Sequence, residues 1–140
     1  MEVSIRQVKS SDVVDLFILV EKFAASFKPD NQLFLNNIHH LLSDESVFLR
    51  IAEYESKLIG YCLGFDHYTF YANGRVSWLE EIMVDETYRN QGIGKKLMAY
   101  FEEWTQSRGS RLIALATRRA ASFYKELGYE ESAVYFRKLL

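Results

Sequence analysis

The chain has 140 residues, enough for one domain built around a continuous core. Hydrophobic residues make up 49% and charged residues 26%, an ordinary globular balance with no low-complexity tract, linker or repeat. A net charge of -2 offers no positive field for nucleic acid or an anionic membrane, and the single cysteine, Cys62, excludes an internal disulfide framework or a multi-cysteine metal site.

The first residues, MEVSIRQVKSSD, lack both the apolar centre of a signal peptide and the Arg/Ser bias of a transit peptide. No apolar run approaches the roughly 18 residues of a membrane span. A cytoplasmic domain over 1–140, with no membrane partner, is expected. Val3, Ile5 and Val8 alternate with polar neighbours and predict a first strand. Ser10, Ser11 and Asp12 can cap a helix whose apolar stripe is Val13, Leu16, Phe17, Val20 and Phe23. Beyond Pro29, Asp30 can cap a second helix carrying Phe34, Ile38, Leu41 and Leu42. SVFLRIAEY and KLIGYCLGFDHYTFY read as strands of a hairpin joined by ESK. The Asn73-Gly74 turn leads into a further strand, VSWLEEIMV.

Ile93, Leu97, Phe101 and Trp104 recur at helical spacing and predict a helix from Gly92 to about Ser107, ended by Gly109. RLIALAT is a short apolar strand of the kind buried on both faces. RRAASFYKEL is helical and Gly128 stops it; YEESAVYFRKLL closes the chain as one more strand, broken near Glu131-Ser132 if it counts as two. The order is β-α-α-β-β-β-α-β-α-β: a mixed, mostly antiparallel sheet of about six to seven strands with helices on both faces.

The chemistry concentrates in VDETYRNQGIGKKL. A Walker A loop needs a glycine five positions before Gly94, where Arg89 stands, and a hydroxyl after the lysine, where Lys96 stands. A dinucleotide fingerprint would require glycine at Leu97. What remains is Arg89-x-x-Gly92-x-Gly94, after a strand and at the start of a helix. Two glycines permit close backbone approach, and the amides of Asn90 to Lys95 point out at the positive end of a helix dipole. Lys95 and Lys96 add charge. The pattern suits a diphosphate held without a metal.

With its flanks, this stretch resembles the GNAT superfamily of acetyl-CoA-dependent N-acetyltransferases over essentially the whole chain. WLEEIMVDETYRNQGIGKKLMAYFEEW is similar to the family's acetyl-CoA motif, and ATRRAASFYKELGYEES to its Ala-x-x-Phe-Tyr-x-x-x-Gly segment, here Ala120, Phe123, Tyr124, Gly128 and Tyr129. The resemblance implies that backbone groups of Ile82, Met83 and Val84 pair with the pantetheine arm. It implies a pyrophosphate cradle at Arg89, Asn90, Gln91, Gly92, Ile93, Gly94 and Lys95, and that Thr117 to Ala120 flank the cofactor's far side. Asn90 stands where relatives often have glycine, a departure that a loop tolerates if its φ is ordinary.

The resemblance also implies Glu80 as the acid that binds or deprotonates the amine, with Glu81 the alternative, and Tyr124 as general acid toward the CoA sulfur. Adjacent on a regular strand, Glu80 and Glu81 are expected on opposite faces. Cys62, outside both motifs, reads as a small buried hydrophobe, which favours direct attack over an acyl-enzyme. Asp66, His67, Tyr68, Phe70 and Tyr71 cluster at a hairpin end expected beside the acceptor, and Arg118 and Arg119 mark a helix start. His39 and His40 read as surface residues, and no metal is expected. The expected function is acetyl transfer from acetyl-CoA to an amine of a small molecule or peptide, with a non-catalytic CoA-binding module as the alternative. Relatives often dimerise, so a homodimer is among the implied states.

Overall fold

A computed structural model describes all 140 residues. Strand β1 (Ser4–Arg6) leads through a 3-10 turn (Ser10–Asp12) into helix α1 (Val13–Phe23) and then α2 (Asn31–Leu42). Asp30 caps α2 as expected, its side chain accepting the Leu33 N–H at 2.9 Å. Strands β2 (Val47–Tyr54) and β3 (Lys57–Thr69) form a hairpin with Tyr54 opposite Lys57. Glu55 (φ 49°) and Ser56 (φ 62°) both take left-handed backbone, the two-residue turn whose twist matches the strands. Strand β4 (Gly74–Val84), helix α3 (Ile93–Ser107), strand β5 (Ile113–Ala114) and helix α4 (Ala121–Glu126) complete the order.

The sheet runs β1-β2-β3-β4-β5, antiparallel except for the parallel β4–β5 pair. Alternation on β2 and β3, shifted by one residue at Ile59 where the β2–β3 register slips, supplies two cores. On one face α1 and α2 press Leu16, Leu19 and Ile38 onto Leu49, Ile51, Tyr61 and Met83. On the other, α3 and α4 press Leu97, Met98, Phe101 and Tyr124 onto Phe48, Ile59, Cys62 and Leu79. Burying each such large apolar side chain contributes about 1.5–3 kcal/mol.

Five strands stand where six to seven are expected. RLIALAT supplies only Ile113 and Ala114, because β5 diverges from β4 after two pairs. The chain after Gly128 then has no long edge to join, and residues 130–140 run exposed without strand pairing. Three side-chain contacts tie that tail down: Lys125 pairs with Glu131 at 3.1 Å, Tyr135 lies over Trp78 with ring centroids 6.4 Å apart, and Arg137 donates to Ser26 Oγ at 2.8 Å.

Candidate active site

Strand β4 breaks its own alternation at the acidic pair. Leu63 stands opposite Glu81 and Gly64 opposite Leu79, which leaves Glu80 as an extra, unpaired residue: a β-bulge. Trp78 pairs with Phe65 before the bulge and Glu81 with Leu63 after it; two apart on β3, Phe65 and Leu63 share one face. The indole N–H of Trp78 donates to Glu80 Oε2 at 2.6 Å, and the Tyr61 hydroxyl donates to Glu81 Oε1 at 2.7 Å. Both carboxylates thus lie on the α1–α2 side. The expectation of opposite faces is corrected, because period-2 counting fails across a bulge.

Their surroundings are aromatic and carry no compensating cation. Tyr61 is buried, and Phe23 at the end of α1 meets its ring edge-on at 6.2 Å. None of the ion pairs in the molecule involves Glu80 or Glu81. Burial lifts the Glu81 carboxyl above the ordinary range; the Tyr61 hydrogen bond lowers it in part, and the neighbouring Glu80 charge raises it. Glu80 itself is exposed.

Beyond Trp78, residues 79–84 of β4 have no strand partner on the β5 side, so the sheet splays there. Ile82, Met83 and Val84 line the gap, still paired to Cys62, Tyr61 and Gly60 on the other side. Arg89 crosses back to donate from Nε to the Val84 carbonyl at 2.9 Å. Across from it, in the turn that precedes α4, Thr117 Oγ1 accepts the Ala120 N–H at 3.0 Å, while Arg118 and Arg119 are exposed. A cavity of about 680 Å³ opens beside the strand end, lined by Lys22, Met83, Asp85, Glu86, Thr87 and Arg89.

Tyr124 approaches from the α3–α4 face. It is 7% exposed, in the cluster that also holds Cys62, Ile93 and Leu97. The Tyr61 and Tyr129 hydroxyls are spoken for, by Glu81 and, at 2.6 Å, by Glu102. Tyr124 has no such partner, and since no buried polar atom is left unsatisfied, its hydroxyl reaches open space. Burial pushes its phenol up to about 12, so it keeps its proton through the neutral range. Cys62 is fully buried and its thiol is pushed up by burial, which leaves it inert.

The loop between β4 and α3 turns at Asp85, whose side chain accepts the Thr87 N–H at 3.3 Å. Asn90 has φ 63° and Gly92 φ 82°. The φ at Asn90 is not ordinary but lies in the left-handed region, which Asn tolerates better than most residues with a side chain. The first helical bond runs from the Lys96 N–H to the Gly92 carbonyl at 3.0 Å, and no side chain caps α3. The amides of Ile93, Gly94 and Lys95 are left pointing outward at the positive end of the dipole. A Cβ on Gly92 would meet nothing within 4 Å, whereas one on Gly94 would sit 3.3 Å from the Phe123 ring. The second glycine thus serves packing between the two sequence motifs as well as the loop. Lys95 is exposed, but Lys96 turns away to bond the Val3 carbonyl, so only one of the two lysines adds charge at the loop.

The hairpin cluster does not join the site. Asp66 is 4% exposed and bound by Arg108, whose Nη2 donates to Oδ1 at 3.1 Å, with Arg75 Nε 3.8 Å away. Phe70 and Tyr71 are exposed at a tip next to Gly74, six positions before Glu80 and roughly 20 Å from it at the rise of a strand. His39 and His40 are exposed in the last turn of α2. Sequence reasoning missed Tyr61, Trp78 and Tyr135. Trp78 was readable, since it precedes Glu80 by two on one strand; the others meet the pair only through folding.

The Acetyltransferase (GNAT) family model matches residues 14–129. An aminoalkylphosphonate N-acetyltransferase of Salmonella typhimurium is 31% identical over 116 residues, covering 79% of this chain and 75% of that protein. The glucosamine-6-phosphate N-acetyltransferase structure from Arabidopsis thaliana superposes with a TM-score of 0.88 at 20% identity, over 99% of each chain. AAC(6')-Iy in complex with the bisubstrate analogue CoA-S-monomethyl-acetylneamine superposes with a TM-score of 0.80 at 23% identity, over 100% of each chain.

Proposed function

The chain belongs to the GNAT family of acetyltransferases, and on that premise we propose that it transfers the acetyl group of acetyl-CoA to a primary amine of a small molecule or peptide, by direct attack in a ternary complex. The residues present fit the co-substrate. Uncapped amides at the start of α3, the open approach at Gly92 and the Lys95 charge suit a pyrophosphate. The strand-partner-free side of Ile82, Met83 and Val84 suits an extended amide-bearing arm, with Thr117 and Ala120 across the gap. Arg89 supports this arrangement through the Val84 carbonyl, and Asn90 and Gln91 extend the cradle. Acetyl-CoA supplies an activated thioester.

Each proton has a place to go. An alkylamine near pKa 10 must lose one before it can attack. Glu80, exposed at the rim and oriented by Trp78, takes that proton directly or through water; Glu81 beside it is the second carboxyl of the acceptor side. As the new N–C bond forms and the C–S bond breaks, Tyr124 gives its proton to the departing sulfur, and solvent restores both groups.

The observation that carries this reading is the buried Tyr124 phenol with an unpartnered hydroxyl on one side of a splayed sheet whose other side bears the acidic pair. Tyr124→Phe tests it: kcat should fall about 10²-fold or more, while calorimetric binding of acetyl-CoA stays within about threefold. Equal losses in both would remove the general-acid role.

A further inference from the structure

We propose that the acceptor is an aliphatic diamine or polyamine, bound through a second ammonium group by the uncompensated carboxylate of Glu81. The inference rests on the acetyl-transfer reading above and deepens it. It starts from charge balance. The bulge puts two carboxylates on one face, and no lysine, arginine or histidine pairs with either. When Glu80 takes the proton of the attacking amine it becomes neutral, and the nucleophile is neutral too. Glu81 is then left half-buried with no cation beside it, held by a single neutral donor, the Tyr61 hydroxyl. A monoamine leaves that charge uncompensated. A substrate with a second ammonium group supplies the missing cation and gains a charge-assisted hydrogen bond in doing so.

Three further features point the same way. Tyr124, more than nine-tenths buried on the opposite face of the sheet, keeps an unpartnered hydroxyl, and on the proposed mechanism it receives the departing sulfur there. The walls on the acidic side are aromatic: Phe23, Tyr61, Trp78 and, from the tail, Tyr135. Such faces suit alkyl chains and ammonium groups together. Lys22 is neutralised elsewhere, by Asp85 at 3.3 Å, and Arg137, though its partner is the neutral Ser26 hydroxyl, forms no ion pair with either carboxylate. A carboxylate or phosphonate on the acceptor would therefore meet two like charges.

The test compares 1,4-diaminobutane, butylamine, 4-aminobutyrate and 3-aminopropylphosphonate as acceptors with acetyl-CoA. Each is also titrated calorimetrically into the complex with CoA. The diamine should exceed butylamine in kcat/KM by about tenfold or more, the gain of one charge-assisted hydrogen bond, with both anionic amines below butylamine. Glu81→Gln, which can still accept from Tyr61, should collapse the diamine-to-monoamine ratio toward one in both measurements. Turnover that favours 4-aminobutyrate or the phosphonate and is lost in Arg137→Gln would overturn the inference and leave acetyl transfer standing. A diamine preference in binding, erased by Glu81→Gln, with no turnover on any amine would uphold the recognition and overturn the transferase reading. No preference in either measurement overturns the inference.

Discussion

Two carboxylate pairs sit at or beside this sheet, and they are treated in opposite ways. At its β1 edge Arg6 reaches Asp12 with Nη1–Oδ2 at 2.7 Å and Nη2–Oδ1 at 2.9 Å, and Glu53 with Nη2–Oε2 at 2.9 Å. The Lys9 N–H adds a further bond to Asp12. These bonds hold the Asp12 and Glu53 carboxyls below the ordinary carboxylate range. At the β4 bulge Glu80 and Glu81 have aromatic donors only, and Glu81 is raised instead. Where a guanidinium neutralises the charges, the cluster ties the strand edge to the turn that starts α1. Where none does, the pair has no internal counter-ion, which is what the proposed acceptor site requires.

The difference can be broken most sharply by chemistry. Glu80→Gln should lower kcat/KM by about 10²-fold or more and leave thermal stability nearly unchanged, since Glu80 is exposed. A comparable loss of stability would mean that the bulge pair is structural after all. Arg6→Gln is the mirror experiment. It leaves Asp12 buried without its guanidinium and should cost on the order of 3 kcal/mol in urea unfolding at neutral pH, with kcat per folded molecule retained. That cost should shrink in acid, because a carboxyl lowered in the folded state contributes stability above its unfolded value and loses it as pH falls through its folded value.

Glu81 should show the reverse slope. Raised in the folded state, its contribution is present below the unfolded value and is lost as pH rises through the folded one. Glu81→Gln should therefore raise Tm at pH 7, with the gain disappearing below pH 4; an unchanged or lower Tm at pH 7 would contradict the uncompensated charge. The smallest effect belongs to Tyr61→Phe. Losing the hydroxyl removes a bond that lowers the Glu81 carboxyl, so the acid limb of acceptor KM should move to higher pH. A limb that stays put would show that Glu81 does not govern acceptor binding.

Much of this was legible along the chain. Helical stripes, the Asp30 cap and the Asn73-Gly74 turn depend on neighbours within a few residues, and each appears where its local chemistry puts it. The strand-loop-helix at Arg89 to Lys95 was readable for the same reason: its amides and glycines act within one short segment. RLIALAT was misread as a full strand because apolarity says that a segment is buried, and nothing about how far its neighbour stays parallel to it. The hairpin residues Asp66 to Tyr71 were misplaced because distance from the acidic pair depends on which end of β4 carries the site.

The chain order alone therefore carries the strand-loop-helix, the candidate acidic residues and tyrosine, and the resemblance to the family whose model matches residues 14–129. It does not establish the face on which Glu80 and Glu81 stand, because that depends on a one-residue slip between β3 and β4, and alternation can be counted only where pairing is regular. Nor does it separate the free hydroxyl of Tyr124 from the bonded ones of Tyr61 and Tyr129, since their acceptors, Glu81 and Glu102, lie twenty and twenty-seven residues away. Local chemistry is written in sequence neighbours; compensation of a charge or a hydroxyl is decided by whatever packing brings beside it.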